Sequence, residues 1–179
     1  MFFKNGNSLC YAYDNEKVSI EPWGPDALRI RATCNDRLTE NNWALEIQQE
    51  VHPQIVIHVD ESAHGAGIAN MYAGEDHSVY QITNGNITAS FNGNGVITFT
   101  NQNGKVLLKE HWQRLKDTPS KSLSRAGREF KAVGGSSFKI SARFLPNDEE
   151  RLFGMGQYQM KYLNMKGCTL ELAHRNSQA

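Results

Sequence analysis

Little in this chain suits a metal centre, a disulfide scaffold or a strongly charged partner. Its three cysteines, Cys10, Cys34 and Cys168, are odd in number and show no C-x-x-C spacing. That argues for reduced thiols in a reducing compartment rather than a disulfide framework or a zinc knuckle. Neither sign of charge dominates, since 19 lysines and arginines face 19 aspartates and glutamates. No global field therefore draws the protein to nucleic acid or to an anionic membrane surface, and partners have to be chosen by a local site. No apolar run approaches the ~20 residues that span a bilayer, and the opening MFFKNGNSLC lacks the central apolar stretch of a signal peptide, so a cytoplasmic location is expected. A G-x-S-x-G elbow is missing, and Gly65-Ala66-Gly67 has neither the spacing nor the following helix of a phosphate cradle. No cofactor is expected. A helical period sustained over ten or more residues is missing too; even Glu40 to Gln49, with Trp43, Leu45 and Ile47, reads better as a strand.

What is present is period-two alternation, repeated along 179 residues that suit one domain. Leu28, Ile30, Ala32 and Cys34 fall on one side of a pleat, with Arg29, Arg31 and Thr33 on the other. Ile87, Ala89 and Phe91 alternate with Thr88 and Ser90; after Asn92-Gly93-Asn94-Gly95 the pattern resumes with Ile97 and Phe99. Asn-Gly pairs accept the positive φ of tight strand connections, so these two runs form a hairpin, and Asn103-Gly104 continues it into KVLLKE as a meander. Phe138, Ile140, Ala142 and Phe144 make a further half-buried strand, with weaker ones at 17–20, 55–59, 79–83 and 128–133. Eight or more short antiparallel strands imply an all-β sandwich or barrel. The stretch 116–128 reads as an exposed loop, and the cations from Lys116 to Lys131 as solvated rather than as a nucleic-acid patch.

Few residue groups suggest chemistry. Asp148 and Glu150 lie on one side of an extended segment, the arrangement that paired acid and base carboxylates need, but an acidic turn before a strand is the plainer reading. His52, His58 and His64 have no convincing third ligand, so no metal site is expected. The final segment is richer, with Gln157, Tyr158, Gln159, Tyr162, Asn164, His174, Arg175 and Asn176. Amides offer a donor and an acceptor together, which matches a sugar hydroxyl.

The stretch ERLFGMGQYQ, from Glu150 to Gln159, resembles the E-x-h-Y/F-G-h-G-E/Q segment found late in the N-terminal β-sandwich of glycoside hydrolase family 31, the α-glucosidases and α-xylosidases. Ile82 to Glu110, ending NQNGKVLLKE, is similar to that family's hairpin with its d-x-x-G-k-x-L turn. LELAHRNSQ, from Leu170 to Gln178, is similar to the lead into a P-F-x-x-S-x-x-G-Y-G strand that this sequence does not contain. The resemblance runs from about Ala27 onward and is strongest after Arg151.

The resemblance implies a galactose-mutarotase-like antiparallel β-supersandwich packed on a catalytic (β/α)8 barrel. That barrel would carry the aspartate nucleophile and acid/base of retaining hydrolysis. Since the 179 residues do not hold that barrel, the chain by itself is expected to be inactive and Ala179 to be a truncation point. The implied partners are the barrel and an α-linked oligosaccharide, with a homo-oligomer left open. The family's N-R-D-type triplet corresponds to His174-Arg175-Asn176, where asparagine for aspartate keeps hydrogen bonding and removes the charge, so glucosidase and xylosidase specificities both stay open. Gln157, Tyr158 and Gln159 would begin a loop towards the leaving-group sugar. Phe153 would anchor a last strand, and Gly154 and Gly156 would bend the chain towards the barrel. Two alternatives remain: a stand-alone carbohydrate-binding sandwich that uses Trp23, Trp43 or Trp112 as stacking platforms, and a mutarotase-like epimerase, which needs a Glu/His pair that no spacing recommends.

Overall fold

A computed structural model describes residues 1–39, 42, 45–46, 50–59, 78–114, 124–125, 127–154 and 162–170 of the chain. It falls into two compact units, Met1–Leu145 and Pro146–Ala179.

In the first unit every regular element is a strand, and the described residues contain no helix. Strands β1 (Phe2–Asn5), β2 (Ser8–Tyr13), β3 (Glu16–Pro22) and β4 (Leu28–Thr33) form one antiparallel sheet in sequence order. Strands β5 (Gln54–His58), β6 (Val79–Asn84), β7 (Ile87–Phe91), β8 (Ile97–Asn101) and β9 (Val106–Lys109) form a second meander. Two short ribbons follow, β10 (Gln113–Arg114) with β11 (Ser124–Arg125), and β12 (Arg128–Gly134) with β13 (Ser137–Ala142). The chain after β13 rejoins the second sheet, where Phe144 bridges Glu110.

Alternation places the core. Leu9, Tyr11, Val18 and Ile20 from the first sheet meet Tyr80, Ile82, Ala89, Phe91, Ile97 and Phe99 from the second. The fold is thus a β-sandwich, as alternation with Asn-Gly turns implies. Leu9, Ile20 and Ile82 are fully buried, each a gain of roughly 1.5–3 kcal/mol over exposure. Phe2 of β1 closes one end by stacking on Tyr80 with ring centroids 3.8 Å apart. Two polar ties reinforce the packing. Buried Asn84 donates from Nδ2 to the carbonyls of Gly24 at 2.7 Å and Ala27 at 2.8 Å, which fastens the β6–β7 turn to the β3–β4 connection. At the β7–β8 turn, Gly95 has φ +73 and lies so close to Tyr11 that an added Cβ would stand 2.4 Å from its Cζ, so both conformation and space require glycine.

The strands expected at 17–20, 28–34, 55–59, 79–83, 87–99, 128–133 and 138–144 are present with small changes of boundary. Three readings need correction. Strands β1 and β2 gave no signal in the sequence, because Leu9, Cys10 and Tyr11 are all buried and no alternation marks a wet face. Arg128, counted in an exposed stretch, is drawn inside by Glu16 and Glu110, its side chain only 10% exposed. Phe153 lies in no strand and is 56% exposed, because no strand among the described residues pairs with the backbone there. Residues 116–123 and 126 of the anticipated loop, and most of the strand reading at 40–49, lie outside the described residues.

Candidate functional site

The residues singled out for a sugar site, Gln157, Tyr158, Gln159, His174, Arg175 and Asn176, all lie outside the described residues, as do Gly156 and Trp43. The structure does describe the frame on either side of the first group. Asn164 accepts through Oδ1 from the backbone N–H of Leu152 at 3.0 Å and of Lys166 at 3.1 Å, and the Met165 N–H donates to the Leu152 carbonyl at 2.7 Å. Leu152 is therefore tied to Asn164 and Met165 at a common base. Met165, 7% exposed, seals that base, and the Lys166 ammonium caps the carbonyl of Asn147. Beyond Leu152, Gly154 has φ +90, a backbone conformation favourable only to glycine. Asn164 is among the candidate sugar-binding amides, but its carbonyl oxygen accepts from backbone and ties Leu152 to Lys166.

Asp148 and Glu149 sit on an exposed turn whose start is fixed by Asn147, its Oδ1 accepting from Glu149 N–H at 3.1 Å and its carbonyl from Glu150 N–H at 3.0 Å. His52 and His58 are exposed, His64 lies outside the described residues, and among the described residues no three ligating side chains gather around a metal position. Trp23 has the Arg29 guanidinium 3.9 Å above its ring, so one stacking face is already taken by a cation–π contact. Arg29 and Arg31 then converge on Glu21 at 3.0 and 2.6 Å across the outer face of the first sheet. Trp112 keeps 36% of its surface exposed.

One polar centre escaped the sequence. Arg128 donates from Nε to Glu16 at 2.8 Å, from Nη2 to the Gly95 carbonyl at 2.8 Å, and from Nη1 to both oxygens of Glu110. Glu110, 5% exposed, also accepts from the Ile97 N–H at 2.8 Å. Burial lowers the guanidinium pKa, but Glu110 and Glu16 more than offset it, so the net direction is up. Such a partnered charge is a clasp that joins Glu16, Gly95 and Glu110. The only signal for it was Glu110 itself, a charge closing the apolar stretch of KVLLKE. The thiols of Cys10 and Cys34 are both pushed up, chiefly by burial, the opposite of what a nucleophile needs.

No family model matches the chain. It is 33% identical over 187 aligned positions to an uncharacterized family 31 glucosidase, ORF2, of Pseudescherichia vulneris, a match that takes in 98% of this chain and 32% of that protein. It is 40% identical, with a TM-score of 0.78, to a GH31 alpha-xylosidase from a soil metagenome whose crystal structure holds xylose; that match covers 100% of this chain and 25% of the other. Along its whole length the chain is thus similar to one part of family 31 glycosidases, and it spans about a third of the first relative and a quarter of the second.

Proposed function

We propose, from the premise that this chain aligns along its whole length with one part of longer family 31 glycosidases, that it is the N-terminal, non-catalytic β-sandwich of a retaining α-glycosidase. In this reading the sandwich supports a catalytic barrel carried by another part of the same polypeptide, and two segments serve the leaving-group sugar. One holds Gln157, Tyr158 and Gln159, in the sequence between the hydrogen-bonded residues Leu152 and Asn164; the other holds His174, Arg175 and Asn176. The observation that carries the proposal is the pairing of 98–100% coverage of this chain with 25–32% coverage of its relatives. Four of the described glutamates, Glu16, Glu21, Glu110 and Glu129, pair with arginines and hold strands together.

The test compares three proteins on aryl α-xyloside and aryl α-glucoside: this chain, the full-length polypeptide, and the polypeptide without this chain. The expected result is turnover by the full-length protein, none by this chain, and a severe loss when this chain is removed. Hydrolysis by the 179-residue chain, or undiminished activity without it, overturns the proposal.

A further inference from the structure

The β12–β13 ribbon separates its residues by chemistry. The register sets Phe130 opposite Ile140 and Ala132 opposite Phe138 on one face, and Glu129 opposite Ser141 and Lys131 opposite Lys139 on the other. The second face is made for water, and Glu129 there pairs with Arg143 at 2.8 Å. The first face carries no charge beyond Arg128, which is turned into the clasp. Nevertheless it is not buried: Ile140 is 61% exposed, and Phe130 and Phe138, whose rings meet edge to face at 6.3 Å, are only half-buried. An isolated two-stranded ribbon is marginal in water and gains stability by packing its apolar face against something. An apolar face left wet on a ribbon that spends its charges on the reverse side marks a contact surface.

The face is also held in place. Arg128 is fixed by Glu16 and Glu110, the Arg143 N–H donates to the Gly127 carbonyl at 2.7 Å, and Phe144 bridges Glu110. We infer that the Phe130, Phe138 and Ile140 face is the surface on which the remaining part of the family 31 polypeptide docks. This rests on the reading of the chain as one domain of a longer enzyme. That occupant is favoured because the chain accounts for only 32% and 25% of its two relatives, so most of each lies outside the matching region. The face calls for an apolar, uncharged counterpart, since a charge buried against it would lack a partner.

The test is Ile140→Lys in two settings, the 179-residue chain and the full-length polypeptide, with Lys139→Glu on the reverse face as the control. Because Ile140 is mostly exposed here, the substitution should leave the midpoint of the chain alone nearly unchanged. In the full-length protein it should lower the midpoint by roughly 5 °C and speed limited proteolysis between domains, while Lys139→Glu changes neither. An unchanged full-length protein overturns the inference. So does an equal loss in the chain alone, which would mean that its own residues cover the face. Dimerisation of the chain in sedimentation that Ile140→Lys abolishes would make a second copy the occupant and overturn it as well. The domain reading itself fails by a different result, activity that survives removal of this chain, so the two failures are told apart.

Discussion

Replacing Arg128 with methionine isolates the clasp. Methionine retains most of the apolar stem but removes all the donors, which leaves Glu110 buried with only the Ile97 N–H and strips the Gly95 carbonyl of its 2.8 Å donor. The side chains of Arg128 and Glu110 are 10% and 6% exposed, so solvent screens the pair little. Removing one partner of a buried ion pair costs about 3–5 kcal/mol, mostly as the penalty of the stranded charge. Against a total stability of ~5–15 kcal/mol that is a large share. For a chain of this size it lowers the midpoint by roughly 10 °C or more. Glu16, 24% exposed, is worth less, and Glu16→Gln should cost about 1 kcal/mol. The informative variant is the double one, Arg128→Met with Glu110→Gln. Glutamine still accepts from Ile97 and leaves no orphan charge, so the pair should cost less than Arg128→Met alone. Urea unfolding of the 179-residue chain, followed by tryptophan fluorescence and far-ultraviolet dichroism, gives each value by linear extrapolation. A single-variant cost below about 1 kcal/mol, or a double variant as damaging as the sum of its parts, would refute the reasoning. The raised guanidinium pKa means that its contribution is complete below the ordinary arginine value and is lost only as the pH climbs through the raised one. The effect should therefore stay constant across the neutral range.

Two glycines at matching φ separate strain from packing: Gly104→Ala at φ +75, with nothing within 4 Å, should cost only the left-handed penalty of about 1–2 kcal/mol. Gly95→Ala should cost clearly more in the same urea assay, because its Cβ would meet Tyr11, 6% exposed and packed on Phe91; equal costs would defeat the packing account. Cys10 gives a pH prediction: its thiol is raised above the ordinary 9.0 chiefly by burial, with Ser19 opposing, so its stabilising contribution is complete below that pH and fades as the pH rises through the folded value. Cys10→Ala should flatten the alkaline decline in stability without abolishing it, since Tyr11 is raised in the same direction; parallel curves for the two proteins above pH 9.0 would count against this.

Much of the sandwich was legible because its signals are local. The β7–β8 hairpin could be read from Ile87, Ala89, Phe91, Ile97 and Phe99 with the Asn-Gly turn between, and each of these apolar residues faces the core or packs against it. The first hairpin was not legible, since Phe2 and Tyr11 belong to an aromatic cluster completed by Tyr80 and Phe91, far along the chain. Of the polar residues singled out in the final segment, only Tyr162 and Asn164 lie among the described residues, and composition did not give their roles. Nothing local says that the Asn164 amide is bound to the backbone twelve residues earlier.

The sequence by itself determined which side of each strand is apolar and where the chain can turn, because pleat alternation and positive φ depend only on neighbouring residues. Only the tertiary structure decided which charges are buried and which apolar face is left open. Arg128 finds Glu110 across 18 residues and Glu16 across 112, partners that approach only when the strands are stacked. In the β12–β13 ribbon, the same alternation that buries Ile82 leaves Ile140 in water, because burial requires a second surface and local pattern cannot supply one.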